Sequence, residues 1–373
     1  AAETRLAVAD RPAKNQYATI VSTKLRFLLG SPHRRFRAII GVLIACALLV
    51  GYGNYRIDKA GQEKRQIALR CEELAGLKYQ EDISGPGVSI NEIDAGRAVP
   101  ACEKALRLEP DSAKYQTLLG QAFEAQKDNE NALRYYRMAA EQRYALAQNN
   151  LGRMSEQGDG VIIDPQQALY WYRKAADQGH ALAQTNLGRI YETGKGVSKD
   201  FAMALGWYHR AAAQGHAPAQ VNLGRMVETG KGVSPSFENA LGWYRKAAAQ
   251  GDAWAQYNLG RMVEKGLGVS KDFEQALDWY RKSAEQGNEW AQYNLAWMYE
   301  KGKGVDRDSE KAATWYRRSA EQGNAWAQNN LGSMYRKGRG VVKDLKKAKH
   351  WYRRAADQGL WVARDNLRGL GGH

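Results

Sequence analysis

The chain is 373 residues long, 44% hydrophobic and 25% charged, a balance typical of folded rather than disordered protein. Its three cysteines, Cys46, Cys71 and Cys102, are too few for a disulfide-dense scaffold. The net charge of +15 favours acidic partners, anionic polymers or membrane headgroups, and says nothing about fold.

Residues 1–37 form a basic segment with eight Lys or Arg, including Arg34, Arg35 and Arg37, against Glu3 and Asp10. Next comes "AIIGVLIACALLVGYG" (Ala38–Gly53), sixteen residues without a charge. Phe36, Tyr52 and Tyr55 sit at its ends, where aromatic residues suit the membrane interface. With these flanks, residues 38–55 are just long enough to span a bilayer as a single helix. The rivals are a buried core helix, which usually carries a polar face, and a cleaved secretory signal. Lys and Arg stay on the cytoplasmic side, so residues 1–37 are expected inside and residues 56–373 outside. Cys46, within the run, reads as a small apolar residue.

Residues 56–110 are expected to be a helical linker region, interrupted by the turn-rich "EDISGPGVSINE" at 81–92. Cys71 and Cys102 flank that loop. Outside the cytoplasm, a bridge between them would stabilise the region by roughly 3 kcal/mol; inside, they would be two buried thiols. "AGRAVPACEKALRLEP" (95–110) resembles the second helix of a tetratricopeptide unit, and "DSAKYQTLLGQAFEAQKDNENALRYYRMAAEQRY" (111–144) resembles a whole one.

From residue 144 onward the chain repeats itself. Trp-Tyr falls at 171–172, 207–208, 243–244, 279–280, 315–316 and 351–352, always 36 apart. Asn-Leu-Gly recurs at the same period from Asn150, with Ala296 replacing glycine once. Such a period without heptads predicts stacked helical pairs, each burying the apolar face of the next. In the unit from Ala181 to Gly215, Ala183, Leu187, Ile190 and Tyr191 share one face of a first helix. Gly188 leaves room for a crossing helix, and Gly194 and Gly196 break the first helix because glycine accepts positive φ. Asp200 is expected in the first turn of the second helix, complementing its dipole. Ala204, Trp207, Tyr208, Ala211 and Ala212 form that helix's buried side, and Gln214-Gly215 ends it.

The pattern "AQxNLGxMYxxGxGVxxDxxxALxWYRKAAxQG" resembles the Sel1-like repeat, a longer-looped relative of the tetratricopeptide repeat. The likeness covers 144–359 as six copies, with a capping helix and tail at 360–373. The fold it implies is an all-α solenoid, here following a single N-terminal transmembrane helix. It also implies adaptor work in membrane or envelope complexes. In the tetratricopeptide family, the resemblance places Leu182, Thr185, Asn186, Arg189, Glu192 and Thr193 of the model unit on a concave binding face.

Reading that face along the array gives candidate partner-binding residues. One row ends in Trp254, Trp290 and Trp326; another carries Tyr257 and Tyr293; a third runs through Arg261 to Trp297 and Ser333. Asn150, Asn186, Asn222, Asn258, Asn294 and Asn330 form an asparagine row. It resembles the ladder by which superhelical tetratricopeptide arrays grip an extended peptide. The aromatic rows predict a hot spot for a protein partner, or flat rings for a glycan such as peptidoglycan. Residues 336–354 are strongly basic, which reads first as a solvated terminal face. The six histidines include no i, i+4 pair with a local acid, and the recurrent "GKGV" lacks the Ser or Thr of a phosphate loop. No catalytic site, metal or cofactor is expected, and a nucleic-acid partner would require a cytoplasmic array. The resulting expectation is a bacterial inner-membrane scaffold with its repeats in the periplasm.

Overall fold

A computed structural model of the chain describes residue 59, residues 61–76 and residues 90–371. The basic segment 1–37, the apolar run 38–55 and most of the 81–92 loop lie outside the described residues. Among the described residues no helix is long and apolar enough to cross a membrane. There are no strands among them either, and the fold is all-α.

A helix over 61–74 carries Cys71, and a bridge joins Cys71 to Cys102 in the helix Ala95–Leu108. From Ala113 onward helices alternate in pairs, each thirteen residues long, until the eight-residue cap Trp361–Arg368. From Ala95 onward the substantial contacts join helices adjacent in sequence, as a solenoid requires.

The unit 181–215 shows how the sequence builds each pair. Its first helix, Ala181–Thr193, ends on Gly194 at φ 75°, and Gly196 follows at φ 77°. A side chain at either position would be strained in that left-handed region. Asp200 is the N-cap of the second helix, Phe201–Ala213, and not a first-turn residue: its carboxylate accepts from the Met203 N–H at 2.9 Å. Asp164, Asp272, Asp308 and Asp344 do the same job in other copies. Ser236 also caps, accepting from the Asn239 N–H, so that departure from Asp preserves the chemistry.

Seven tyrosines, Tyr136, Tyr172, Tyr208, Tyr244, Tyr280, Tyr316 and Tyr352, are the largest fully buried side chains. Each belongs to a second helix, and all but Tyr316 pack into the gap left by a glycine on the first. A Cβ at Gly188 would lie 2.6 Å from the Tyr208 ring, closer than any real contact. Where copy five has Ala296, the alanine is itself fully buried, so its own pair is set to admit the methyl. The Trp beside each of the last six tyrosines is less deeply placed. Trp207 is buried, whereas Trp243, Trp279 and Trp315 are half-buried under Lys246, Lys282 and Arg318, which stand 4.3–4.6 Å from the ring centres.

Candidate functional site

Two polar ladders stitch the repeats together, and they decide which residues of the first-helix face remain free. The first ladder is made of glutamine. Gln178, Gln214, Gln250, Gln286, Gln322 and Gln358 close the second helices, and each donates to the glutamine of the preceding first helix at 2.7–2.9 Å. The acceptors are buried, and Gln184, Gln220, Gln292 and Gln328 donate in turn to a helix-end carbonyl at 3.0–3.2 Å. Sequence reasoning saw these glutamines only as parts of the motif, because the partners lie thirty residues apart on different helices.

The second ladder joins three residue types. Glu156 accepts from the Tyr172 hydroxyl of its own unit at 3.1 Å and from Arg189 of the next at 2.5 and 2.7 Å. Glu192 is held in the same way by Tyr208 and Arg225, and Glu228 by Tyr244 and Arg261. Glu124, Tyr136 and Arg153 begin the series. Loop residues Lys195 and Lys231 add a second cation at Glu156 and Glu192. Burial alone would push the Glu192 carboxyl up, but the Arg225 guanidinium, Lys231 and the Tyr208 hydroxyl more than offset this and hold it at about 2. Burial and the adjacent Glu192 charge drive the Tyr208 hydroxyl far up, keeping it a donor.

These pairs change the standing of three residue sets from the sequence reading. Glu192, expected on the binding face, has a side chain only 6% exposed. Arg261 holds Glu228 rather than standing free. In the asparagine row, Asn150 is buried, Asn186 donates to Asn149 at 3.1 Å, Asn330 accepts from Asn329 at 3.3 Å, and Asn294 is half-buried. Asn222 and Asn258 are half-buried.

The aromatic rows divide into two layers. Tyr257, Tyr293 and Trp297 are half-buried and pack against the core. Tyr257 and Tyr293 lie 6.0 and 5.8 Å from the rings of Tyr280 and Tyr316. Above them Trp254, Trp290 and Trp326 are 50%, 37% and 43% exposed, at the same position of three consecutive copies. The Trp254 ring meets Tyr257 edge-on at 5.9 Å. In the equivalent position, earlier copies place Leu146, Leu182 and Pro218. Three large exposed rings at one repeat position can bury apolar area on a partner with little loss of side-chain freedom.

No group of His, Cys, Asp and Glu that could hold a metal occurs among the described residues. His180 and His216, which share a repeat position, are helix N-caps: His180 accepts from the Ala183 N–H, and the His216 ring lies 2.9 Å from the Thr185 hydroxyl. Burial pushes both rings down to about 4, with the His216 charge adding to the shift at His180.

A family profile described as Sel1 repeat matches residues 116–144, 145–180, 181–216, 217–252, 255–288, 291–324 and 327–360. Its first match falls on the short-looped unit that resembles a tetratricopeptide repeat. A crystal structure of a Sel1 repeat protein from Oxalobacter formigenes is 37% identical, with TM-score 0.59, over 64% of this chain and 96% of that one. A protective antigen of uropathogenic Escherichia coli displaying an SLR fold is 32% identical, also with TM-score 0.59, over 82% of this chain and 67% of that one. No curated protein sequence matches the chain.

Proposed function

The chain belongs to the Sel1 repeat family, whose members generally mediate protein–protein interactions, and from that premise we propose that it is a membrane-anchored scaffold of a bacterial envelope complex. The observation that carries the binding role is the row of exposed rings at Trp254, Trp290 and Trp326. Large exposed apolar side chains repeated at one position of consecutive copies suit an interaction site, and aromatic residues concentrate binding energy there. The anchor is the uncharged run within 38–55, with the basic segment 1–37 on the cytoplasmic side. The Cys71–Cys102 bridge supports a periplasmic position for the repeats, since structural disulfides persist in oxidising compartments.

Topology is tested by adding protease to cells stripped to the inner membrane. Digestion of the repeats before lysis is the expected result, and protection until lysis would refute the periplasmic arrangement. A second reading rests on the same three rings, whose flat faces suit stacking on envelope polysaccharide. Glycan pull-down with a Trp254→Ala/Trp290→Ala/Trp326→Ala control separates the two, because a protein scaffold should retain no peptidoglycan with either version.

A further inference from the structure

The arginine ladder stops one copy after the exposed aromatic row begins, since the helix of Trp254 still carries Arg261. Position nine of the first helix is Arg153, Arg189, Arg225 and Arg261 in successive copies, then Trp297 and Ser333. The glutamates and tyrosines of the ladder nevertheless continue. Glu264 accepts from the Tyr280 hydroxyl at 2.6 Å, and Glu300 from the Tyr316 hydroxyl at 3.0 Å. Neither has the arginine that every earlier glutamate holds. Glu264 has no ion pair among the described residues, and Glu300 has only its own neighbour Lys301 at 3.4 Å, a half-exposed side chain. Lys303 occupies the loop position from which Lys195 and Lys231 reach their glutamates, yet it stands over the Phe273 ring at 5.2 Å.

On a chain of net charge +15, two partly buried carboxylates without a strong counter-charge need explaining. The earlier copies show what this geometry holds: a guanidinium, forked across both carboxylate oxygens. Beside the open carboxylates lie the rings that favour a guanidinium face. The Tyr257 hydroxyl feels Glu264, and that of Tyr293 feels both carboxylates. The glutamate of the opened rung is also easier to reach, with the Glu300 side chain 20% exposed against 6% for Glu192. The site is bounded on both sides. Arg261 closes the preceding rung, and at the glutamate position of the last copy stands Arg336, which would repel a further cation.

We propose that Glu264 and Glu300, beside Tyr257 and Tyr293, receive two arginine side chains from a partner polypeptide, which supplies in trans the guanidinium groups the ladder lacks. This rests on the protein-binding reading and narrows it to a partner segment carrying arginines placed to meet consecutive repeats. Arginine is specified over lysine because the fork geometry and ring stacking are those of a planar guanidinium. The same rungs can be closed from within. A Trp297→Arg/Ser333→Arg variant restores the residue found in four other copies, so it should fold and fill the site with the protein's own side chains.

The test is selection of a phage-displayed library of random dodecapeptides on the full chain in mild detergent, followed by affinity measurement. Selected peptides should be enriched in arginine. Their Kd should rise about tenfold or more against Trp297→Arg/Ser333→Arg and against Glu264→Gln/Glu300→Gln, as expected when a desolvated charge pair loses a partner. Replacing the peptide arginines by lysine should also weaken binding severalfold. Peptides without arginine enrichment, or with equal affinity for the ladder-closed variant, would overturn this inference while leaving the protein-binding reading intact. A library yielding no binders at all would overturn both.

Discussion

Removing one rung of the closed ladder should show how strongly the repeats are coupled. The substitution Arg225→Met keeps most of the aliphatic stem and deletes the charge that faces Glu192 through two contacts of 2.7 Å. Glu192 is left with Tyr208 at 3.1 Å and Lys231 at 3.2 Å. Its carboxyl is held at about 2 in the folded protein against 4.5 for a free side chain, a difference equivalent to roughly 3 kcal/mol at neutral pH by linkage. Arg225 supplies the largest favourable part, but its side chain is 40% exposed and partly screened. The expected loss is therefore about 2 kcal/mol. The sign is that of a depressed carboxylate: its contribution is present above pH 4.5 and is lost as pH falls toward 2. Urea unfolding followed by circular dichroism, at neutral pH and near pH 3, should show the variant's deficit shrinking in acid. Adding Glu192→Gln should recover much of the deficit, because no buried charge is then left unpaired. A neutral-pH deficit below about 0.5 kcal/mol, or none of it recovered in the double variant, would refute the ladder as an energetic coupling.

Gly188→Ala should destabilise by about 1–3 kcal/mol through the clash of its Cβ with the buried Tyr208 ring, whereas Ala296→Gly should cost less than that; thermal melts of the two compare them directly. Arg143, at φ 64° where later copies place a glycine such as Gly179, is strained, so Arg143→Gly should raise stability by about 1 kcal/mol in the same melts. His180 and His216 are held neutral with folded values of about 4, below the ordinary 6.5, so their contribution is present above pH 6.5 and is lost as pH falls toward 4. A His180→Asn/His216→Asn variant, carrying the cap residue of Asn288 and Asn324, should lose stability less steeply between pH 6.5 and 4 than the parent. An unchanged slope would show that other groups govern that window.

The parts legible in the sequence are those whose partners recur in phase. The 36-residue spacing of Trp-Tyr located the second helices, and Gly188 announced the close crossing that Tyr208 fills. The cap was one residue out, because a dipole argument for Asp200 does not distinguish the N-cap from the first turn, while the side-chain bond to Met203 does. Gln184 and Gln214, or Glu192 and Arg225, hid their function for a different reason. The glutamine bond joins the two helices of one unit, 30 residues apart, the glutamate–arginine bond crosses to the next unit, 33 apart, and both depend on a helix rotation that no periodicity specifies. The asparagine row was visible as a row, but its inward bonds, such as Asn186 to Asn149, depend on that same rotation. The loss of arginine at Trp297 and Ser333 was plain in the sequence. It acquired meaning only when the glutamates that Arg225 and Arg261 hold were seen.

The protein-binding proposal puts a partner on the first-helix face of the C-terminal copies. The most direct measurement places a photo-crosslinking amino acid at Trp290 and, separately, at Thr314, which is exposed on a second helix. Irradiation of cells expressing each version should give a discrete protein adduct at position 290 and none at 314. Adducts of equal yield at both positions, or no protein adduct at 290, would contradict it.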